Sequence, residues 1–185
     1  MPITELEPTV ALIVIDLQAG TLSAPLAHPS AEVVGHAVRL VDAFHRLGLP
    51  VVVARVEGMP AGRTAYGAGA RAFPTEFTAL TPELDVHPDD LTVTRSTWSA
   101  FAGTDLDAQL AKRGVSQVVL AGLATSFGVE STARAAYDLG YSVVIAADAI
   151  SDRSIDSHTN SLTRVFPALG QVGSTMEIVD LLGTR

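Results

Sequence analysis

Gln117-Val-Val-Leu-Ala-Gly122, then the turn Leu123-Ala-Thr125, a helix running to Asp138 and stopped by Gly140, then Tyr141-Ser-Val-Val-Ile-Ala-Ala147: this stretch decides the fold. Two apolar runs of strand length with a helix between them make a βαβ unit. Towards the N-terminus the pattern repeats. Val10-Ala-Leu-Ile-Val-Ile15 is a continuous, β-branched run that stops at Asp16, as suits a strand covered on both faces. A helix is predicted from about Ser30, with Val33, Val34, Ala37, Leu40, Val41 and Phe44 on one face, Ser30 as its cap and Glu32 in its first turn. Gly48 ends it, and Pro50-Val-Val-Val-Ala54 is the next strand. Leu91-Thr-Val-Thr94 reads as a third strand ending at Arg95, followed by a helix from its cap Thr104 to Arg113. Beyond Asp148 the chain gives a helix over His158 to Leu169 that Pro167 shortens, a short strand at Gln171-Val172, and a last helix from Ser174 or Thr175 to Leu182. Strands alternating with helices predict a three-layer, doubly wound α/β domain over residues 1–185, its mainly parallel sheet having about six strands.

Composition agrees with one globular domain. The chain has 185 residues, 48% of them apolar and 17% charged, and a domain of this size buries roughly 70% of its unfolded surface. Mean hydropathy is +0.33, yet no apolar run approaches the ~20 residues that cross a bilayer. The first residues, from Met1 to Pro8, show no secretory pattern, so a cytoplasmic location is expected. A net charge of −8 argues against nucleic acid or anionic lipid as a partner. The absence of cysteine excludes disulfides, thiolate metal sites and a thiolate nucleophile. Gly58 to Pro74 has no periodicity and reads as a long lid or interface loop. Its Gly67-Ala-Gly69 neither follows a strand tightly nor opens a helix, which disfavours a phosphate loop.

Open α/β sheets bind ligands beyond the carboxyl ends of their strands. Four such ends are visible here: Asp16, Arg95, the turn at Gly122 to Thr125, and Asp148. A carboxylate and a guanidinium on neighbouring strand ends can pair across one pocket. The helix opening near Thr125 to Gly128 would aim backbone N–H groups at the same place, which suits an anion or oxyanion. Asp148, in Ala147-Asp-Ala149, is expected to close a loop and cap backbone donors. His28, His36 and His45 read as loop or helix-surface residues, and His158 as a residue that caps or orients a helix. Asp85-Val-His87 has the spacing of a ligand pair but stands in the wrong place for this site.

Three segments carry a resemblance: Ala11-Leu-Ile-Val-Ile-Asp-Leu-Gln18, Val93-Thr-Arg-Ser-Thr-Trp-Ser-Ala-Phe-Ala-Gly-Thr-Asp-Leu106 and Leu120-Ala-Gly-Leu-Ala-Thr-Ser-Phe-Gly-Val-Glu-Ser-Thr-Ala-Arg134. They resemble the signature blocks of the isochorismatase-like hydrolase superfamily, and Ala136 to Ala149 continues the likeness. Most members, nicotinamidases and other amidases among them, use an Asp, Lys, Cys triad. The resemblance places Asp16 at the Asp, Arg95 at the Lys and Gly128 at the Cys. Gly128 has no side chain, so the covalent amidase route is closed. The isochorismatases of siderophore and phenazine pathways also carry glycine there and hydrolyse a vinyl ether, releasing pyruvate, with an aspartate as general acid. The resemblance further implies a cis peptide at Leu123-Ala124, pocket walls from Trp98 and Phe101, and self-association as dimers or larger assemblies.

The first expectation is therefore a cysteine-independent hydrolase acting on a small carboxylated metabolite of isochorismate type. Asp16 is its acid–base, Arg95 a clamp, Gly128 part of the anion site, and Trp98, Phe101, Leu123, Ala124 and Thr125 its substrate contacts. No metal or cofactor is expected. The alternative is a degenerate member that binds a small molecule or partner without catalysis. A third possibility, an amidase with Thr125 or Ser126 as substitute nucleophile, needs a neighbouring base, and no histidine matches one. Capping the helix is the simpler use of those hydroxyls.

Overall fold

The computed structural model describes residues 3–65 and 67–184; Met1, Pro2, Arg185 and, within the Gly58 to Pro74 excursion, Tyr66 lie outside it. At its centre, β1 (Val10–Ile15) is buried along its whole length. Val10, Leu12 and Val14 enter one core and Ala11, Ile13 and Ile15 the other, as a strand with period two must do when both faces are covered.

A short α1 (Ala19–Leu22) precedes α2 (Ser30–Arg46), whose buried stripe of Val33, Val34, Ala37, Leu40, Val41, Ala43 and Phe44 covers the first core. Ser30 is the first helical residue and Pro29 the cap: a fixed proline φ starts this helix rather than a serine hydroxyl. After β2 (Val51–Val56) the excursion forms two antiparallel ladders, β3 (Gly58–Met59) with β6 (Arg71–Ala72) and β4 (Arg63–Thr64) with β5 (Gly67–Ala68). This arm is exposed over most of its described length. A one-turn α3 (Thr75–Thr78) leads to β7 (Leu91–Arg95), then α4 (Leu106–Lys112), whose cap is Asp105, one residue later than the expected Thr104.

The chain continues through β8 (Gln117–Leu123), a π-helical turn Thr125–Val129, α5 (Glu130–Asp138), β9 (Ser142–Ser151), α6 (Ile155–Asn160), a second π-helical turn Ser161–Val165, α7 (Phe166–Leu169), β10 (Gln171–Gly173) and α8 (Thr175–Gly183). Pro167 is absorbed without a break, because a widened turn precedes it. All pairs in the six-stranded sheet are parallel, in the order β10-β9-β8-β1-β2-β7. The chain winds outward from β1 through β2 to β7 and then returns to β8 on the other side of β1. The switch point therefore lies between β1 and β8, where a crevice opens at the carboxyl edge. No described helix is long and apolar enough to cross a membrane.

Strand β9 overturns one expectation. It does not stop at Asp148 but runs on to Ser151. Leu120 pairs with Ile145 while Gly122 pairs with Ile150, so β9 bulges between these pairs, with Asp148 in the bulge. Asp148 Oδ1 there accepts from Thr175 N at 2.7 Å and Thr175 Oγ1 at 2.8 Å, capping α8. The carboxylate just after the true strand end is Asp152.

Candidate active site

Asp16 follows β1 with φ of +50°, a left-handed conformation that aspartate tolerates better than most residues. Its N–H donates to Ala54 O at 2.9 Å. Arg95, last residue of β7, reaches past β2 to meet it: Nη1 donates to Oδ1 at 2.7 Å and Nη2 to Oδ2 at 2.9 Å. Asp16 is 7% exposed and Arg95 5%. Nε and Nη2 of Arg95 also donate to Trp98 O, at 3.3 and 2.9 Å. A guanidinium has five N–H groups, so one on Nη1 remains for anything else. The two-pronged face expected to clamp a substrate carboxylate is filled by Asp16. Burial pushes the Asp16 carboxyl above its ordinary range, while the hydrogen bonds and charge of Arg95 and the Val56 N–H pull the other way.

Gly128 lies directly over this pair. A Cβ built on it would stand 2.9 Å from Leu123 O, 3.0 Å from Ile15 Cγ2 and 3.3 Å from Asp16 Oδ2. The turn thus packs close above the carboxylate, and its tightest contact, to the Leu123 backbone oxygen, is one that a Cβ could make only with a shift. Gly122, with φ of +112°, is under the same constraint, since a Cβ there would meet the backbone of Ile15. The peptide bond Leu123-Ala124 is cis.

The turn's polar groups are spent differently from expectation. Ser126 N and Oγ both donate to Asp152 Oδ2, at 2.7 and 2.8 Å, so that N–H is not offered to an anion. Phe127 N and Val129 N donate to Ala124 O. Thr125 caps nothing: its fully buried Oγ1 is 2.9 Å from His158 Nδ1. A histidine does stand beside it after all, yet the hydroxyl faces the interior and contacts no solvent, which argues against attack on a substrate. Burial, aided by neighbouring His28, lowers the His158 pKa, with Asp152 opposing. His28 meets His158 edge-on at 4.7 Å and its Nδ1 lies 3.0 Å from Ser151 Oγ. These histidines join elements rather than decorate a surface. His45, similarly, is 2.8 Å from Asp90 and stacks on His87 at 3.8 Å.

Trp98 is 55% exposed and meets Phe127, 43% exposed, edge to face at 5.0 Å. Sequence reasoning missed Phe127, although it directly precedes Gly128. The structure sends the other expected contacts elsewhere. Phe101 stacks on Tyr141 at 5.8 Å and packs against the second core, and the Leu123 side chain belongs to the first core. Ala124 keeps partial exposure. Cavities of about 400 Å³ beside Glu7 and Tyr141 and about 550 Å³ beside Leu22 and Val34 are lined by neither Asp16 nor Arg95. Among the described residues no three His, Asp or Glu side chains converge as metal ligands.

The isochorismatase domain model matches residues 10–177. The chain belongs to the isochorismatase family. Among its family relatives, the uncharacterised isochorismatase family protein YecD of Escherichia coli O157:H7 is 38% identical, over 94% of this chain and 96% of that one. YwoC of Bacillus subtilis, likewise named an uncharacterised isochorismatase family protein, is 40% identical over 92% of each. A family structure from Burkholderia thailandensis superposes with a TM-score of 0.91 at 40% identity, covering 97% of this chain and 98% of that one. N-carbamoylsarcosine amidase from Thermoplasma acidophilum gives 0.75 at 27% identity, covering 90% and 96%.

Proposed function

We propose that this family member is a hydrolase working without a covalent nucleophile, on a small carboxylated vinyl ether of isochorismate type, with Asp16 as its acid–base. What carries the reading is the buried Asp16 carboxyl, raised by desolvation, with a glycine turn seated close above it; the resemblance places the thiol of family amidases at this Gly128. A carboxyl raised by burial holds its proton to higher pH than a free one, and in that form it can act as general acid. Its proton forms a C–H bond at the terminal vinyl carbon, and the ether carbon becomes an oxocarbenium. Water adds to that carbon and returns a proton to Asp16. The resulting hemiketal collapses, breaking the ether C–O bond and releasing pyruvate and the alcohol. Arg95 holds Asp16 in place, and Trp98 with Phe127 offers apolar faces to the substrate ring. One relative, the isochorismatase of Bacillus subtilis, is 30% identical over 74% of this chain and 45% of its own length, and it supports this substrate class.

The reading includes a cytoplasmic location, no cofactor, and self-association through the exposed arm. Isochorismate with pyruvate coupled to NADH oxidation tests it: turnover that Asp16→Asn abolishes is expected, and no rate above background from folded protein overturns it. One observation favours a second reading, a binding protein without catalysis: the prongs of Arg95 are filled by Asp16, and the turn packs onto that pair. An activity unchanged by Asp16→Asn would favour it.

A further inference from the structure

The loop after β7 carries the exposed Trp98, yet two residues later Ala100 is fully buried. Its N–H donates to Thr132 Oγ1 at 3.0 Å, and the same hydroxyl donates to Gly128 O at 2.7 Å. Thr132, on α5, is itself fully buried. A helical threonine bonding back to the carbonyl four residues earlier is commonplace. What is not commonplace is that this oxygen also accepts from a separate segment 32 residues away. One hydroxyl therefore joins the turn lying on Asp16 to the loop bearing Trp98. The Ala100 carbonyl is held as well, by Thr104 Oγ1 at 2.7 Å, and Arg95 grips Trp98 O. Without the Thr132 hydroxyl, a buried N–H would lose its acceptor and a buried carbonyl a donor.

We propose that Thr132 is a positioning residue that sets the separation between the Trp98 wall and the Gly128 turn, and so the thickness of the ring the mouth of the site admits. This rests on reading the Asp16 cleft as the active site. The Thr132 hydroxyl bonds Ala100 N and Gly128 O, not Asp16 or Arg95, and acts through those two hydrogen bonds.

Trp98 is the single tryptophan of the chain, so emission excited selectively in tryptophan, past the tyrosine band, reports on this loop alone. Thr132→Val keeps the shape and removes the hydroxyl. The expected result is a red-shifted emission and an acrylamide quenching constant raised roughly two-fold, because a loop freed of its buried bond opens more often. Far-UV circular dichroism and a cooperative melt should stay native-like. Thr132→Ser should restore the wild-type spectrum. In the pyruvate-coupled assay Thr132→Val should raise KM more than it lowers kcat, with Thr132→Ser restoring both. Wild-type emission and quenching in folded Thr132→Val would overturn the inference. Should that variant not fold, amide exchange in the wild-type chain decides: Ala100 N–H must exchange as slowly as the strand amides, and exchange at the rate of an open loop overturns the assignment. Fluorescence shifts without turnover in any variant would leave Thr132 in this role and remove the hydrolase reading instead.

Discussion

At Gly128 the missing side chain is a packing requirement. A methyl group there meets a backbone oxygen at 2.9 Å, so Gly128→Ala must lift the turn. Overpacking of this kind costs about 1–3 kcal/mol, which a lowered urea midpoint should show. Gly128→Cys meets the same obstacle and should gain no amidase turnover against amide probes. Asp16→Asn keeps a residue that accepts positive φ but, at pH above the folded-state Asp16 value where the pair is ionised, leaves the Arg95 charge buried without a counter-charge. Stripping one partner from a buried pair costs about 3–5 kcal/mol, and equilibrium unfolding would measure it. The sign of the pH dependence follows from burial. Because the folded state raises this carboxyl above its ordinary 3.8, the native chain keeps a proton that the unfolded chain has released. The contribution is thus greatest below pH 3.8 and declines as pH climbs through the folded-state value. Urea midpoints across acid pH should show a component of that slope in the wild type that Asp16→Asn lacks.

The turn Thr125–Val129 is clasped from one side by the end of β9 and the start of α6, through Asp152 and His158. His158 is held below its ordinary 6.5, so the unfolded chain binds a proton first on acidification. Stability from this contact is complete above pH 6.5 and drains away as pH falls towards the lower folded value. Thermal midpoints between pH 7 and pH 5 should fall in the wild type and fall less in His158→Gln. The clasp had no signature in the sequence, because Thr125 and His158 are 33 residues apart and neither has a neighbour that announces the other. The inner strands were legible because both faces of the sheet are covered there, which writes them as unbroken apolar runs, as from Val10 to Ile15, whereas edge strand β7 alternates buried and exposed residues. The rule of strand ends likewise brought Asp16 and Arg95 together. It misled at Asp148, since a bulged strand and a finished strand both read as an apolar run followed by a carboxylate. The π-helical turns were invisible too, as one extra residue per turn barely alters a hydrophobic pattern over five residues. That the guanidinium is occupied by Asp16 and Trp98 O depends on side-chain placement that residue order does not encode.

For the whole molecule, strand order makes the carboxyl edge between β1 and β8 the one place where loops diverge, and charge adds a second asymmetry. The chain carries −8 overall, yet its exposed arm presents Arg63 and Arg71. An isolated two-stranded ladder is marginal in water, and an acidic surface on a second copy would suit these cations. Arg63→Glu combined with Arg71→Glu should therefore shift sedimentation towards the monomer, and added salt should do the same to the wild type. Sedimentation unaffected by either change would remove the arm from any assembly. The seating of the 128 backbone above the Asp16 carboxylate also constrains what variation this position tolerates. Any Cβ there must displace a backbone oxygen at 2.9 Å before it fits, so a single codon change at 128 carries a backbone move with it. Changes elsewhere that raise the turn would open the position first, which makes its tolerance a property of the surrounding turn and not of residue 128 alone.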